Sequence, residues 1–349
     1  MGGAKVTGQT FNNLDFMRSV AVLLVASTHL LIYLGYKQQD GWLGITGVCI
    51  FFVHTSLVLM WSLERDSNVA RFYLRRAFRI YPLWLVVLAI YIVFRFPTSP
   101  NYTATFEFFM PGKRELLANI FLVFNLVFGA RVVGASWSLP LEVQMYLFLP
   151  CLFYFAKNLR AIWPLLTLDL FIMAHNYFSY GRVDSSLPMC VPYFLPGIIT
   201  FVLMKRPHLR KLPSWLFPIC LLILVAIDRK YGNFRHSWVF CLMLGLGIPL
   251  FRDMTNKPIS IASHYIAKYS YGVYLTHLIA IGVSVHLLRD YSLGIRILAF
   301  IATFVLLPIV LYHTVEEPLI RLGARLAKKI GSGPVTPVTE QTLELEMVP

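Results

Sequence analysis

The chain alternates long apolar runs with short polar interruptions, and many of the runs approach membrane-crossing length. A helix needs about 20 mostly apolar residues to cross a hydrocarbon core about 30 Å thick. Such runs recur at 14–35, 42–63, 80–96, 139–156, 161–178, 189–204, 213–228, 237–251, 266–288 and 294–314. The stretch 116–130 is apolar but short, and the polar GARVVGASWS follows it, so it reads as a re-entrant or interfacial helix. The pattern predicts an all-α, polytopic transmembrane helix bundle of about ten spans plus that short element. Residues 1–330 are expected to form one transmembrane domain. Residues 331–349 lack apolar periodicity and are expected to be a disordered cytoplasmic tail.

Composition narrows the class. Of 349 residues, 57% are hydrophobic and only 14% charged, too few for an ordinary soluble domain. The net charge of +14 would suit a nucleic-acid partner, but the basic residues sit in short clusters between apolar runs. That is the positive-inside pattern of a membrane protein, and no nucleic acid is expected. With the N-terminus cytoplasmic, the arginine cluster of 65–79, KNLR, KRPHLRK and RLGARLAKK all fall inside. Both termini are then cytoplasmic in a cell inner (plasma) membrane, with Arg229, Lys230 and Arg235 as local exceptions. The first residues carry little positive charge and no small-residue cleavage site, so no cleavable signal is expected. The five cysteines stand in apolar surroundings without CxxC spacing and read as buried small hydrophobes, with neither a disulfide framework nor a metal site.

Ionisable residues within apolar runs are costly and mark candidate sites. Arg18 and His29 share one helix face, because eleven residues make about three turns, and lie roughly 16 Å apart along it. The plainer alternative is a topology anchor and a packed histidine. In RFYLRRAFRIYP, taken as a basic loop entering a helix near Pro82, Arg76 and Arg79 are three apart and form a candidate phosphate clamp. Arginines beside a span also fix topology, so both roles stay open. Glu142, in SWSLPLEVQMYLF, is an acid inside an otherwise uncharged span; it is placed to orient a histidine, receive a proton or link helices. Tyr274 and His277 share a face in YSYGVYLTH, and the depth of His277 matches that of His29. Together with Glu142 they would form a polar centre in a dry bundle, which favours the neutral imidazole a general base needs. Asp169 is deep but has no motif around it. His54, His175, His286 and His313 read as packing or interfacial residues. Glu316 and Glu317 are expected to pair structurally with the arginines.

In order and spacing these pieces resemble the membrane-bound acyltransferase family 3, the group that contains bacterial surface-polysaccharide O-acetyltransferases. The resemblance rests on Arg18 and His29, GVCIFF (47–52), FYLRRAFRIYP (72–82), WSLPLE (137–142), YSYGVYLTH (269–277) and EEP (316–318). Members commonly continue FF with V-L-S-G-F, whereas this chain has VHTSL. The resemblance implies a shuttle of acyl groups from cytoplasmic acyl-CoA, as a donor substrate rather than a bound cofactor, to a glycan or lipid-linked glycan acceptor among membrane lipids. It implies that Arg18, Arg76 and Arg79 hold the donor, that His29 is the general base, and that Glu142 and His277 assist. Without a fused extracytoplasmic hydrolase-like domain, transfer is expected to be direct or completed by another protein. Acylation of a cytoplasm-facing small molecule, and proton-coupled transport without acyl chemistry, are the competing readings.

Overall fold

In a bilayer the backbone must satisfy its own N–H and C=O groups, so apolar runs of this kind fold as helices. The computed structural model describes residues 11–36, 42–96, 110–158, 161–178, 187–206, 211–231 and 237–330. Among these no strand forms beyond an isolated bridge between Leu212 and Phe251. The tail at 331–349 and most of the outer loop expected at 97–115 lie outside the described residues.

The helices in order are α1 (Asn12–Tyr33), α2 (Trp42–Arg65), α3 (Val69–Val93), α4 (Lys113–Ile120), α5 (Leu139–Ala156) and α6 (Ile162–Phe178). They continue as α7 (Leu187–Leu203), α8 (Leu216–Tyr231), α9 (Ser237–Gly247), α10 (Lys257–Gly282), α11 (Leu293–Leu311) and α12 (Glu317–Lys329). A π-helical turn (Val283–Leu287) follows α10, and another (Tyr312–Glu316) joins α11 to α12. Six of the described helices are long and apolar enough to cross a membrane: α1, α2, α3, α5 with its preceding turn, α10, and α11 continued by α12. The expected count of about ten rested on runs that become shorter helices, such as α6 and α7 at 17 residues and α8 at 16. At about 1.5 Å per residue these reach roughly 24–26 Å, short of a full core. With 8 residues, α4 is too short to cross, in keeping with the interfacial reading of its stretch.

Close contacts fix the helix order around α1, α2 and α10. Gly47, the glycine of GVCIFF, sits where α2 meets α1, and a Cβ there would lie 2.6 Å from the Ala21 carbonyl oxygen. Gly197 of α7 meets Ser56 and Val53 of α2 in the same way. Contacts along their lengths also set directions. Ser19 donates to the Ser263 carbonyl and His29 meets His277, so α1 and α10 run parallel. Gly44 on Thr28 and Gly47 on Ala21 make α2 antiparallel to α1. Tyr73 bonding Leu147 and Tyr154 bonding Ser67 make α5 antiparallel to α3, and Arg79–Glu316 with Arg71–Ile330 do the same for α12.

One end of the bundle therefore gathers the start of α1, the α2–α3 connection and the end of α12. Here Asp253 accepts from the backbone N–H groups of Asn12 (3.1 Å) and Asn13 (3.0 Å), a carboxylate at the positive end of the α1 dipole. The same end holds Arg65, Arg71, Arg75, Lys328 and Lys329. The opposite sides of the outer helices are apolar and open, as at Trp163, Phe171 and Leu298, which suits lipid.

Two local expectations are corrected. The arginine run is helix rather than loop: Asn68 caps α3 by accepting from the Arg71 N–H, so Arg71 to Arg79 lie within the helix and Pro82 sits well inside it. Of the five cysteines, Cys49, Cys190 and Cys241 are buried, but Cys151 and Cys220 are exposed. An apolar sequence context in a membrane helix identifies neither the inward nor the lipid-facing side.

Candidate active site

The sequence places Arg18 and His29 on one face of α1, and the fold turns that face toward α10. The Arg18 Nε donates to the Ser270 hydroxyl, and about three turns on, His29 meets His277 at 3.2 Å. The two imidazoles lie with ring centroids 4.9 Å apart. Each histidine also approaches the carbonyl one turn before it on its own helix, His29 Nδ1 to Val25 at 2.9 Å and His277 Nδ1 to Val273 at 3.1 Å. A carbonyl only accepts, so in the neutral pair both Nδ1 atoms carry the hydrogen. His277 Nε2 is then the acceptor facing His29 Nδ1, and His29 Nε2 is left as a lone pair with no protein partner among the described residues. In this tautomer His29 Nε2 is an open acceptor at the end of the pair.

Beside this pair lies a cavity of about 50 Å³ between α1, α2, α3, α5 and α10, with Arg18, Arg79, Glu142, Tyr146, Ser270 and Tyr274 among its walls. Tyr274, one turn before His277, donates to the Ala135 carbonyl at 2.5 Å and bonds Ser138 at 2.7 Å. A 3₁₀ turn (Gly134–Ser138) followed by Pro140 in the first turn of α5 sets this junction, so WSLPLE brings both Ser138 and Glu142 to the cavity.

Charge converges on the same place. Arg79 pairs with Glu316 at 2.5 Å, both side chains almost wholly buried, and its guanidinium stands over the Tyr271 ring. Arg18 lies within electrostatic reach of Arg79, Glu316 and Glu142, and Arg76 within reach of Glu142. Three guanidiniums, Arg18, Arg76 and Arg79, thus stand among three carboxylates, Glu316, Glu142 and the more distant Asp15 at the start of α1. One N–H₂ group of Arg18 and one of Arg79 are buried without a hydrogen-bond partner among the described residues. Buried donors left open beside a cavity suit an anionic ligand.

Of the six residues singled out in the sequence, Arg18, Arg79 and Glu142 line the cavity, His29 and His277 pair with each other nearby, and Arg76 lies within electrostatic reach of Glu142, though not all in the expected pairings. The carboxylate of Glu142 bonds Tyr146, and the partner of His29 is His277 instead. Glu316 pairs with an arginine of α3 as expected, whereas Glu317 turns the other way, to His313 and Arg321. The π-turn ending at Glu316 shifts the helix register there and separates the two carboxylates. His54 is the residue that sequence reasoning undervalued: expected to pack or lie at an interface, it is fully buried close to Arg18, with both ring nitrogens unbonded. Its signal in the sequence was the polar interruption of an otherwise apolar span.

A family described as an acyltransferase domain matches residues 11–313. The chain belongs to that acyltransferase family. Among similar proteins, ORF330 of Acidianus two-tailed virus, named as an acetyltransferase, is 26% identical over 69% of this chain and 73% of its own length. The peptidoglycan O-acetyltransferase OatA of Listeria monocytogenes is 23% identical over 89% of this chain, which spans 56% of that longer protein. Nodulation protein 10 of Rhizobium leguminosarum bv. viciae is 28% identical over 40% of this chain and 44% of its own length. No solved structure matches. The chain is therefore a helical membrane acyltransferase by family.

Proposed function

We propose that the chain moves an acyl group, acetyl first among candidates, from cytoplasmic acyl-CoA to a hydroxyl of a surface glycan or glycolipid. The observation that carries this reading is the histidine pair one helical turn beyond a cavity walled by open guanidinium donors. Coenzyme A is a phosphate-bearing anion, and Arg18, Arg76 and Arg79 are the groups to hold it. His29 Nε2 takes the acceptor hydroxyl's proton as that oxygen attacks the thioester carbonyl. The C–O bond forms, the C–S bond breaks, and the leaving thiolate takes the proton back from His29. Base catalysis of this kind contributes about 10²–10⁴-fold. His277 holds the ring of His29 and shares its charge, and Glu142 orients the incoming group at the cavity.

The clusters of basic residues between apolar runs favour a bundle of about ten spans with both termini at the cytoplasmic face of the inner membrane, and the helix directions are compatible with it. Parallel α1 and α10 need an odd number of crossings between them, a condition met by α2, α3 and α5 alone and equally with α6 to α9 crossing as shorter segments through a locally thinned bilayer.

The test is transfer of label from radiolabelled acetyl-CoA by the purified, detergent-solubilised protein, with and without a crude glycan extract. Label moving to glycan with release of free CoA is the expected result. Neither binding nor release of CoA would remove acyl-CoA as donor and His29 as base.

A further inference from the structure

The face that α2 turns to α1 can be followed by spacing. Gly47 touches Ala21 and Val25 of α1, and Phe51 and His54 follow at i+4 and i+7, on the same stripe. Because α2 is antiparallel to α1, moving from Gly47 to His54 moves back along α1 from Ala21 toward Arg18. His54 thus stands at the height of Arg18, and the two lie within electrostatic reach of each other. The imidazole is 0% exposed, and neither of its nitrogens has a hydrogen-bond partner among the described residues. The Nη1 of Arg18 is equally buried and equally unbonded. Phe51, Phe52 and Thr55, neighbours of His54 on α2, line the cavity that Arg18 also lines.

A buried imidazole without a hydrogen-bond partner is costly, and a leucine would fill the same space without that cost. An open acceptor within electrostatic reach of an open donor leaves both free to bond each other once either side chain moves. We infer that His54 is a positioning residue for Arg18. When an anionic acyl donor draws the guanidinium into the cavity, a ring nitrogen of His54 accepts the Nη1 hydrogen and holds the fork toward the donor. This rests on the reading of Arg18 as a donor-binding group.

The experiment is steady-state kinetics with acetyl-CoA on the purified full chain. His54→Leu is expected to raise KM for acetyl-CoA about tenfold with kcat within about twofold, while its melting temperature stays level or rises. His54→Gln, which keeps an acceptor, should remain within about threefold of the wild type. In an Arg18→Lys background, the same His54→Leu change should move KM by less than about twofold, because the group it positions is gone. An unchanged KM in His54→Leu, a loss confined to kcat, or an equal loss in the Arg18→Lys background would each overturn the assignment. His54→Met, similar in volume and without a nitrogen acceptor, repeats the measurement if the leucine variant folds poorly. A wild-type protein that neither binds nor turns over acetyl-CoA defeats the donor reading and this inference together. A fully active wild type with an insensitive His54 defeats this inference alone.

Discussion

At the scale of single residues, the histidine pair and the buried ion pair make different demands. His29 holds the open acceptor of the pair and is predicted to be the group that handles the proton. His29→Ala should lower kcat by about 10²–10⁴-fold while the melting temperature in detergent stays near that of the wild type. His277→Leu should lower kcat less, since it removes the holder of the base and leaves the base itself. Equal activity in His29→Ala would take the imidazole out of the mechanism. Arg79 and Glu316 concern stability as much as binding. Arg79→Ala leaves the Glu316 carboxylate buried and unpaired and should cost about 3–5 kcal/mol, read by thermal unfolding. Arg79→Ala combined with Glu316→Ala should recover part of that loss, and an additive double variant would show that the two side chains act apart. The residue types at this site were legible because charge and imidazole stand out in apolar sequence. Which partner each would choose was not, since Glu142 had several turns of α1 and α10 within plausible reach and took Tyr146 on its own helix.

At the scale of elements, the bundle depends on close helix approach and on the clamp at the start of α3. Gly47→Ala inserts a methyl against the Ala21 carbonyl oxygen, so α1 must retreat; the expected cost is about 1–3 kcal/mol, with reduced transfer because Arg18 and His29 ride on the displaced helix. An unchanged melting temperature would mean that the contact relaxes freely. The clamp is Asp66, which bonds Arg75 at 2.7 Å and lies 3.6 Å from Arg71 just before α3. Partial burial works against its charged form, but the Arg75 bond, the Asn68 N–H and the two positive charges outweigh it and hold the carboxyl below its usual range. The folded carboxylate therefore binds protons less readily than the unfolded one. Its stabilising effect is complete above the ordinary aspartate pKa, about 3.9, and fades as pH falls through the lower folded value. The melting-temperature gap between wild type and Asp66→Asn should accordingly be constant near neutrality and close on acidification below pH about 4. A gap that widened on acidification would contradict the clamp. The helix ends were the least legible part of the sequence. The arginine run looked like a loop because polar residues usually mark one, yet the Asn68 cap and burial against α12 make it helix.

At the scale of the whole molecule, the contacts put the start of α1, the α2–α3 connection and Ile330 at one end of the bundle, and Tyr36 at the other. In a cysteine-free background, Ser67→Cys and Ile330→Cys should react with an impermeant maleimide from the same side of sealed vesicles, and Tyr36→Cys from the opposite side. Labelling of Ser67→Cys and Ile330→Cys from opposite sides would refute the arrangement. The sequence by itself determined that the chain is helical and membrane-embedded, because run length and the need to satisfy the backbone in lipid leave little else. It also nominated the candidate residues: Arg18, His29, Arg76, Arg79, Glu142 and His277 stand out as polar groups in apolar sequence, and the fold brings Arg18, Arg79 and Glu142 to one cavity and His29 to His277. Only the tertiary structure decided which groups bond each other, which helices are short, and that His54 comes within electrostatic reach of Arg18. Those outcomes depend on helix direction, rotation and register, set by contacts between segments as much as 259 residues apart, as between Arg71 and Ile330. Hydrophobicity along one segment carries no record of which neighbour its polar residues will meet.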